Sequence, residues 1–436
     1  MHKLYAMNGV VCACGKVHSF SAKIATGKGT ITKIPVFMKQ FQTKKAFLLS
    51  DCHTSLAAEE KVRDALSAEG YDFTGYCFPA ENLEPDERSV GSAVMHWDDQ
   101  CDCIIGVGSG VINDIGKILS HITGKPYIIV ATAPSMDGYA SATSSMTRDG
   151  LKISLPSRSA DVIIGDTDIL CSAPMHMMIS GLGDMLAKYI SICEWRISAL
   201  LTGEYYCPEI AALIRQGVQR CVDAVPGLLQ RQPEAVQTVF EGLVIGGIAM
   251  NYAGLSRPAS GVEHYISHVL DMRSVEFGTP MELHGIQCAV GTYLAVSLYR
   301  KLSACIPNKV KALKYVADFD YDAWSKELQA FLGKGAQSMI ALEQKEQKYD
   351  KQSHKDRLER IIIHWDQILE IIRQELPSLE QLGAIYDALG LPKTLQSIRI
   401  PESEFSMIFK TTKDIRDKYV LSRLAWDLGI LDELTQ

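Results

Sequence analysis

Apolar positions in the first part of the chain come in short runs separated by stretches of helical period. Ala46–Ser50 is a run of strand length ending at Asp51, and Leu56–Glu69 follows at helical spacing with a stop at Gly70. The alternation continues with Phe73–Phe78, Ser89–Asp99, Cys101–Gly110, Val111–His121, Pro126–Ser135 and Ala160–Asp166. Strands alternating with helices predict βαβ units and a parallel sheet, with ligands at the carboxyl ends of the strands. After Asp166 the period-two signal stops. Gly181–Leu200, Pro208–Val222, Pro233–Gly254, His264–Leu270 and His284–Leu302 all read as helices, and Pro401 to the end reads as closing helices. The pattern therefore predicts an α/β domain over 1–170 and an all-α domain over 171–436. Ala336–Glu375 is more charged and reads as a solvated helix face or an exposed connection.

Length and composition change this picture little. A chain of 436 residues is too long for one ordinary core, which supports two domains. With 47% hydrophobic and 22% charged residues and a net charge of −7, it reads as a globular protein and not as a nucleic-acid binder. No apolar run reaches the roughly 18 residues of a membrane span. The twelve cysteines are scattered and read as reduced thiols of a cytoplasmic protein. Cys12, Cys14 and His18 look metal-like, but they lack a partner pair at zinc-finger spacing. They read as an N-terminal strand ending in a glycine turn.

Candidate chemistry enters at four places. Gly106-Val-Gly108-Ser109-Gly110-Val111-Ile112-Asn113-Asp114 follows a strand and opens a helix, the layout of a phosphate cradle, although the third glycine comes one residue early for G-x-G-x-x-G. Asp51 ends an earlier strand, where a carboxylate accepts from a ribose diol and repels a 2′-phosphate, favouring NAD over NADP. Ala131–Met146 is a run of small and hydroxylated residues with one acid, Asp137, suited to lining a ligand site. Finally, Gly261–Gly291 holds three of the eleven histidines, His264, His268 and His284. A carboxylate from elsewhere would complete a metal site, and Asp184, read as standing in the first turn of a helix, is the candidate. Asp184 with two of the three histidines leaves one position open for water or substrate; the spacing does not choose among the histidines.

GVGSGVINDIGK, TAPSMDGYAS, GLGDMLAKY, the E-H-x-x-x-H of Glu263–His268 and the LHG of Leu283–Gly285 occur in this order in sn-glycerol-1-phosphate dehydrogenases, which this chain resembles over about residues 10 to 300. These belong with the iron-containing alcohol dehydrogenases, glycerol dehydrogenases and 3-dehydroquinate synthases. The resemblance implies a Rossmann-like N-terminal domain, a helical C-terminal domain and an active site in the cleft between them. It implies Asp184, His264 and His284 on one divalent metal, with His268 and Asp137 at the substrate. Gly108, Ser109, Gly110, Val111, Asn113 and Asp114 would hold the pyrophosphate of NAD(H), with NADP as the other option. Thr132, Ser135 and Ser141 would touch the cofactor and Asp51 its adenosine ribose. Lys188, where the iron-dependent branch has a histidine, favours zinc or nickel over iron.

The implied reaction interconverts dihydroxyacetone phosphate and sn-glycerol 1-phosphate in phospholipid metabolism, with His268 supplying the proton and Lys152 a candidate for the substrate phosphate. A phosphorylated triose or polyol is thus the expected partner, with no nucleic acid or membrane, and a homo-oligomer the expected state. A glycerol dehydrogenase-like enzyme, a 3-dehydroquinate synthase-like cyclase and a non-catalytic NAD-binding protein are the alternatives.

Overall fold

The computed structural model describes residues 6–149 and 151–436. The chain groups into two compact units, residues 1–185 with 212–255, and residues 186–211 with 256–436. The expected division at residue 170 therefore moves. Helices Met175–Leu186 and Pro233–Ala253 fall largely in the sheet-bearing unit, where glycines allow close approach. A Cβ at Gly165 would run into the Phe240 ring, and one at Gly181 into the carbonyl of Pro134.

The first unit carries a parallel sheet. Its strands are β1 (Lys23–Gly27), β2 (Lys45–Asp51), β3 (Asp72–Phe78), β4 (Cys103–Gly108), β5 (Tyr127–Ala131) and β8 (Val162–Asp166). Their order is β1-β8-β5-β4-β2-β3, with every neighbouring pair parallel. β4, β5 and β8 are buried on both faces and read as continuous apolar runs, as a sheet covered on both sides requires. Ile34, Met38, Leu48, Val62, Leu66, Ile105, Val107, Ile128 and Ile164 form the core of one face. Two elements escaped the periodicity reading, β1 and the antiparallel hairpin of β6 (Thr143–Arg148) and β7 (Leu151–Pro156). Both are short and largely polar, so nothing in their spacing marks them.

The second unit is helical. Gly181–Leu200, expected as one helix, is two: Met175–Leu186, largely in the sheet-bearing unit, and Lys188–Thr202, in the helical one. The first starts right after Pro174, so Asp184 lies in its last turn and not in a first turn as expected. Val262–Phe277 and His284–Ser303 pack on one another and carry the three histidines. The charged stretch forms three helices, Gly335–Glu346, Lys351–Ile363 and Trp365–Glu375. No helix among the described residues is long and apolar enough to cross a membrane.

Candidate functional site

In the sheet-bearing unit the chain runs from β2 outward to β3 and returns to β4 on the other side of β2. The order thus reverses between β2 and β4, and ligands bind open α/β sheets at the carboxyl ends of strands at such a point. Asp51 ends β2 and Gly108 ends β4, so the two candidates flank it. Asp51 also caps the following helix. Its Oδ1 accepts from the amides of His53 at 2.9 Å and Thr54 at 2.8 Å, so both capping bonds fall on one oxygen.

The glycine turn is built for close backbone approach. A Cβ at Gly108 would overlap the Ile112 side chain. The third glycine of a dinucleotide-binding turn brings helix and strand together, and here Gly116 does so, since a Cβ there would strike the Tyr127 hydroxyl. Helix Gly110–Thr123 starts with no side-chain cap, so its first amides point out of the turn.

Several expected cofactor contacts serve the loop itself. Asn113 is fully buried, with Nδ2 donating to the Gly138 carbonyl at 3.0 Å and Oδ1 accepting from Tyr127 at 3.4 Å. Ser141 Oγ is within 3.1 Å of the Gly138 carbonyl and 3.0 Å of the Thr143 carbonyl, and accepts from Lys117 at 3.1 Å. Both support the loop in this arrangement. Lys117, to which the sequence reading gave no role, is fully buried, pairs with Asp114 at 2.9 Å and ties the loop after β5 to the helix. Ser109 and Ser135 bond to each other at 2.5 Å, and the Thr132 amide donates to Gly108 O at 3.1 Å. Val111 is half-buried on the first turn of the helix. Burial raises the pKa of Tyr139, whose hydroxyl donates to Ala133 O at 2.6 Å and keeps the loop closed.

Asp137 and Asp184 meet in this unit. The Asp137 amide donates to Asp184 Oδ2 at 2.9 Å, and both residues are buried. A Cβ at Gly246 would lie 3.3 Å from Asp137 Oδ2, and one at Gly247 2.8 Å from the Asp137 carbonyl. This glycine pair lets a helix interior press against the acid; without structure it reads only as two helix-weakening residues. Lys152 lies in β7 opposite Thr147 and is half-buried.

The histidines belong to the helical unit. One ligand atom each from His264, His284 and Cys288 lie within 4.8 Å of one another. The His264 and His284 rings are 5.1 Å apart in an edge-on arrangement, and His268 lies 6.5 Å from His284. Glu263 Oε1 sits 2.8 Å from His264 Nδ1, and Ser267 Oγ 3.3 Å from His284 Nδ1. A metal-bound imidazole is commonly held by its other nitrogen in this way, with Nε2 as the ligand. Glu263 Oε2 is buried and has no hydrogen-bond partner among the described residues, a carboxylate oxygen that calls for a nearby positive charge. Two anchored imidazoles and a thiol suit zinc better than a hard cation. The residues present fit a divalent metal. Cys288 was missed because it lies one helical turn past His284, where a cysteine in an apolar run reads as core. Burial opposes ionisation of its thiol, but the two imidazoles outweigh this and lower its pKa.

His268 is held well below the ordinary imidazole pKa, by burial first and then by Arg416, His284, His264 and Lys418. Lys418 donates to Ser260 O and Oγ at 2.9 and 3.0 Å, and burial with Arg257 and Arg416 pushes its pKa down to about 7. Arg416 and Lys418 stand in a C-terminal stretch to which sequence reasoning assigned no chemistry.

Residues 25–174 match the model of the iron-containing alcohol dehydrogenase family. The chain is 33% identical over 296 residues to a glycerol-1-phosphate dehydrogenase [NAD(P)+] of Bacillus licheniformis, covering 67% of this chain and 74% of that one. A second from Geobacillus thermodenitrificans is 30% identical over 371 residues, 84% of this chain and 83% of that one. Among solved structures, glycerol dehydrogenase from Schizosaccharomyces pombe matches with a TM-score of 0.61 at 19% identity, covering 97% of this chain and 92% of that one.

Proposed function

Because the chain belongs to the glycerol-1-phosphate dehydrogenase family, we infer that it interconverts dihydroxyacetone phosphate and sn-glycerol 1-phosphate as an NAD(P)-dependent, metal-dependent oxidoreductase. The observation that carries this reading is the convergence of His264, His284 and Cys288 with Glu263 behind His264. The β2–β4 reversal with its glycine turn supports a dinucleotide there.

A bound divalent metal would supply Lewis acidity and NAD(P)H the hydride. The chain's own residues do the rest. His264 and His284, with Cys288 one helical turn on, would hold the metal, and Glu263 fixes the His264 ring and its tautomer. Asp184 is our carboxylate ligand, and its bond to the Asp137 amide orients the loop that carries the second acid. His268, held neutral, offers a hydrogen bond to a substrate oxygen. Gly108, Gly110 and the open first turn of helix Gly110–Thr123 take the pyrophosphate, Thr132, Ser109 and Ser135 line the cofactor loop, and Asp51 Oδ2 takes the ribose diol. The substrate phosphate needs a cation. Arg416 and Lys418, whose charges reach His268, join Lys152 as candidates. Twelve thiols without a disulfide support a reducing compartment, and we place the enzyme in the cytoplasm as a homo-oligomer.

Initial rates with glycerol 1-phosphate, glycerol 3-phosphate and glycerol test the reading. Turnover of the first well above both others is expected; equal rates with glycerol point to a glycerol dehydrogenase, and no turnover of any of them overturns the proposal.

A further inference from the structure

The N-terminal segment that reads as a strand and glycine turn has a different construction. Val11 and Val17 form an isolated antiparallel bridge, and Cys12 to Lys16 is the loop between them. The Cys12 amide donates to Lys16 O at 2.9 Å, and the Gly15 amide donates back to Cys12 O at 2.8 Å. Gly15 sits at φ 84°, which a glycine adopts at little cost. This loop has no apolar core: Val10, Val11 and Val17 are 55%, 71% and 57% exposed. A seven-residue hairpin with its valines in water is not held by burial, since an isolated hairpin is marginal at best.

What the loop does gather is ligands. Cys12 Sγ, Cys14 Sγ and a His18 ring nitrogen all lie within 4.8 Å of one another. Cys14 Sγ is 3.4 Å from His18 Nε2, where tetrahedral zinc with Zn–S of about 2.3 Å and Zn–N of about 2.0 Å sets sulfur and nitrogen about 3.5 Å apart. His18 is buried and its Nδ1 lies 2.8 Å from the Tyr252 carbonyl, a bond in which Nδ1 carries the proton and Nε2 is the basic nitrogen. The ring also lies 5.6 Å from that of Tyr252. Backbone bonds steady its neighbours: the Gly9 amide donates to His18 O at 2.7 Å, and Asn8 and Phe20 exchange two bonds at 3.0 and 2.8 Å. Both thiols are half-buried, so a cation can reach them.

We propose that Cys12, Cys14 and His18 form a second, structural zinc site, distinct from the histidine cluster, with its fourth position filled from outside this segment. Binding replaces the protons of two thiols with one divalent cation and leaves the imidazole neutral, so no redox partner is needed. The zinc fixes the hairpin and ties it through His18 to the end of helix Pro233–Ala253. The inference is independent of the dehydrogenase reading, since its test measures metal and thiols without turnover.

Two measurements on the full chain decide it. Zinc content after desalting is expected to fall by about one equivalent per chain in Cys12→Ser/Cys14→Ser, and to be retained in His18→Cys, where a thiolate replaces the imidazole. The wild-type protein gives the second readout without relying on a variant that folds. N-ethylmaleimide labelling, read by peptide mass spectrometry, is expected to spare Cys12 and Cys14 in the zinc-loaded protein and to modify both after chelation. Equal labelling of the two cysteines with and without zinc overturns the proposal, as does undiminished zinc in the folded double variant.

Discussion

The two units hold their candidate residues in opposite ways. In the sheet-bearing unit the candidate residues are held by backbone and small groups: Ser109 on Ser135, Asn113 on Gly138, Lys117 across a loop, and glycines wherever two segments touch. Polar side chains there mostly place backbone, and the backbone would meet the ligand. In the helical unit the chemistry sits in the side chains. Glu194 and Glu263 both bring a carboxylate oxygen to Gly261, and three imidazoles, a thiol and the charges of Arg416 and Lys418 act in the same unit. Asp184 apart, side-chain substitutions should therefore be more damaging in the second unit than in the first, where the glycine turn is sensitive to added bulk.

The largest effect is expected at the ligands. His264→Ala and His284→Ala should lower kcat at least about a hundredfold, on the scale of the several kcal/mol a Lewis acid contributes, and lower metal content in parallel. Asp184→Ala is expected to match them while NADH binding, followed by fluorescence titration, persists. If Asp184→Ala turns over normally, its carboxylate serves only the Asp137 amide.

Next comes the phosphate. A charge-assisted contact is worth about 1.5–3 kcal/mol, so the side chain that reads the phosphate should raise KM for glycerol 1-phosphate about ten- to a hundredfold when neutralised. Arg416→Met and Lys152→Met, assayed side by side, assign that role to one unit or the other. We expect Arg416→Met to give the larger rise; the reverse result moves phosphate reading to the β6–β7 hairpin.

The buried acids give a subtler contrast. Glu194 is pushed up to about 8, by burial first and then by Glu263, against an ordinary 4.5. Between those values the folded protein keeps a proton that the unfolded chain has released. Its contribution to stability is thus complete below about 4.5 and is lost as pH rises through 8. Thermal midpoints of the wild type should therefore decline over this window more steeply than those of Glu194→Gln, and parallel profiles would remove Glu194 from the account. Glu263→Gln, which leaves a hydrogen-bond acceptor but no charge behind His264, should weaken metal binding about 10–100-fold, as loss of such backing groups does.

How much of this the sequence revealed follows the same division. The buried strands and the long helices were legible because burial on both faces, or on one stripe, leaves a period in the apolar residues. β1, β6 and β7 left none. Asp184 and the histidines were legible as residue types, but not their supports. Glu263 reads as a helix-start acid, Cys288 as core and Gly246–Gly247 as a defect until the packed neighbour is known. The loop-supporting bonds of Asn113 and Ser141 were not legible, because a polar residue after a glycine turn can serve a ligand or the loop, and the Gly138 carbonyl comes near only in the fold.

The smallest expected effect sharpens the contrast most. Asp51 serves both as helix cap, through Oδ1, and as candidate ribose ligand, through Oδ2. Asn is about as good an N-cap as Asp, so Asp51→Asn should leave stability within a few tenths of a kcal/mol. The substitution removes the negative charge that discriminates against a 2′-phosphate. Losing one such contact of about 1 kcal/mol should weaken NADH roughly fivefold, while NADPH binding improves. Fluorescence titration with both nucleotides reads the two changes directly. Opposite movements of the two affinities would place the adenosine ribose at the end of β2, where the strand order reverses. Parallel loss of both, with a lowered melting temperature, would instead make Asp51 a cap alone, and the sheet-bearing unit would then meet its nucleotide through backbone with no acidic side chain involved.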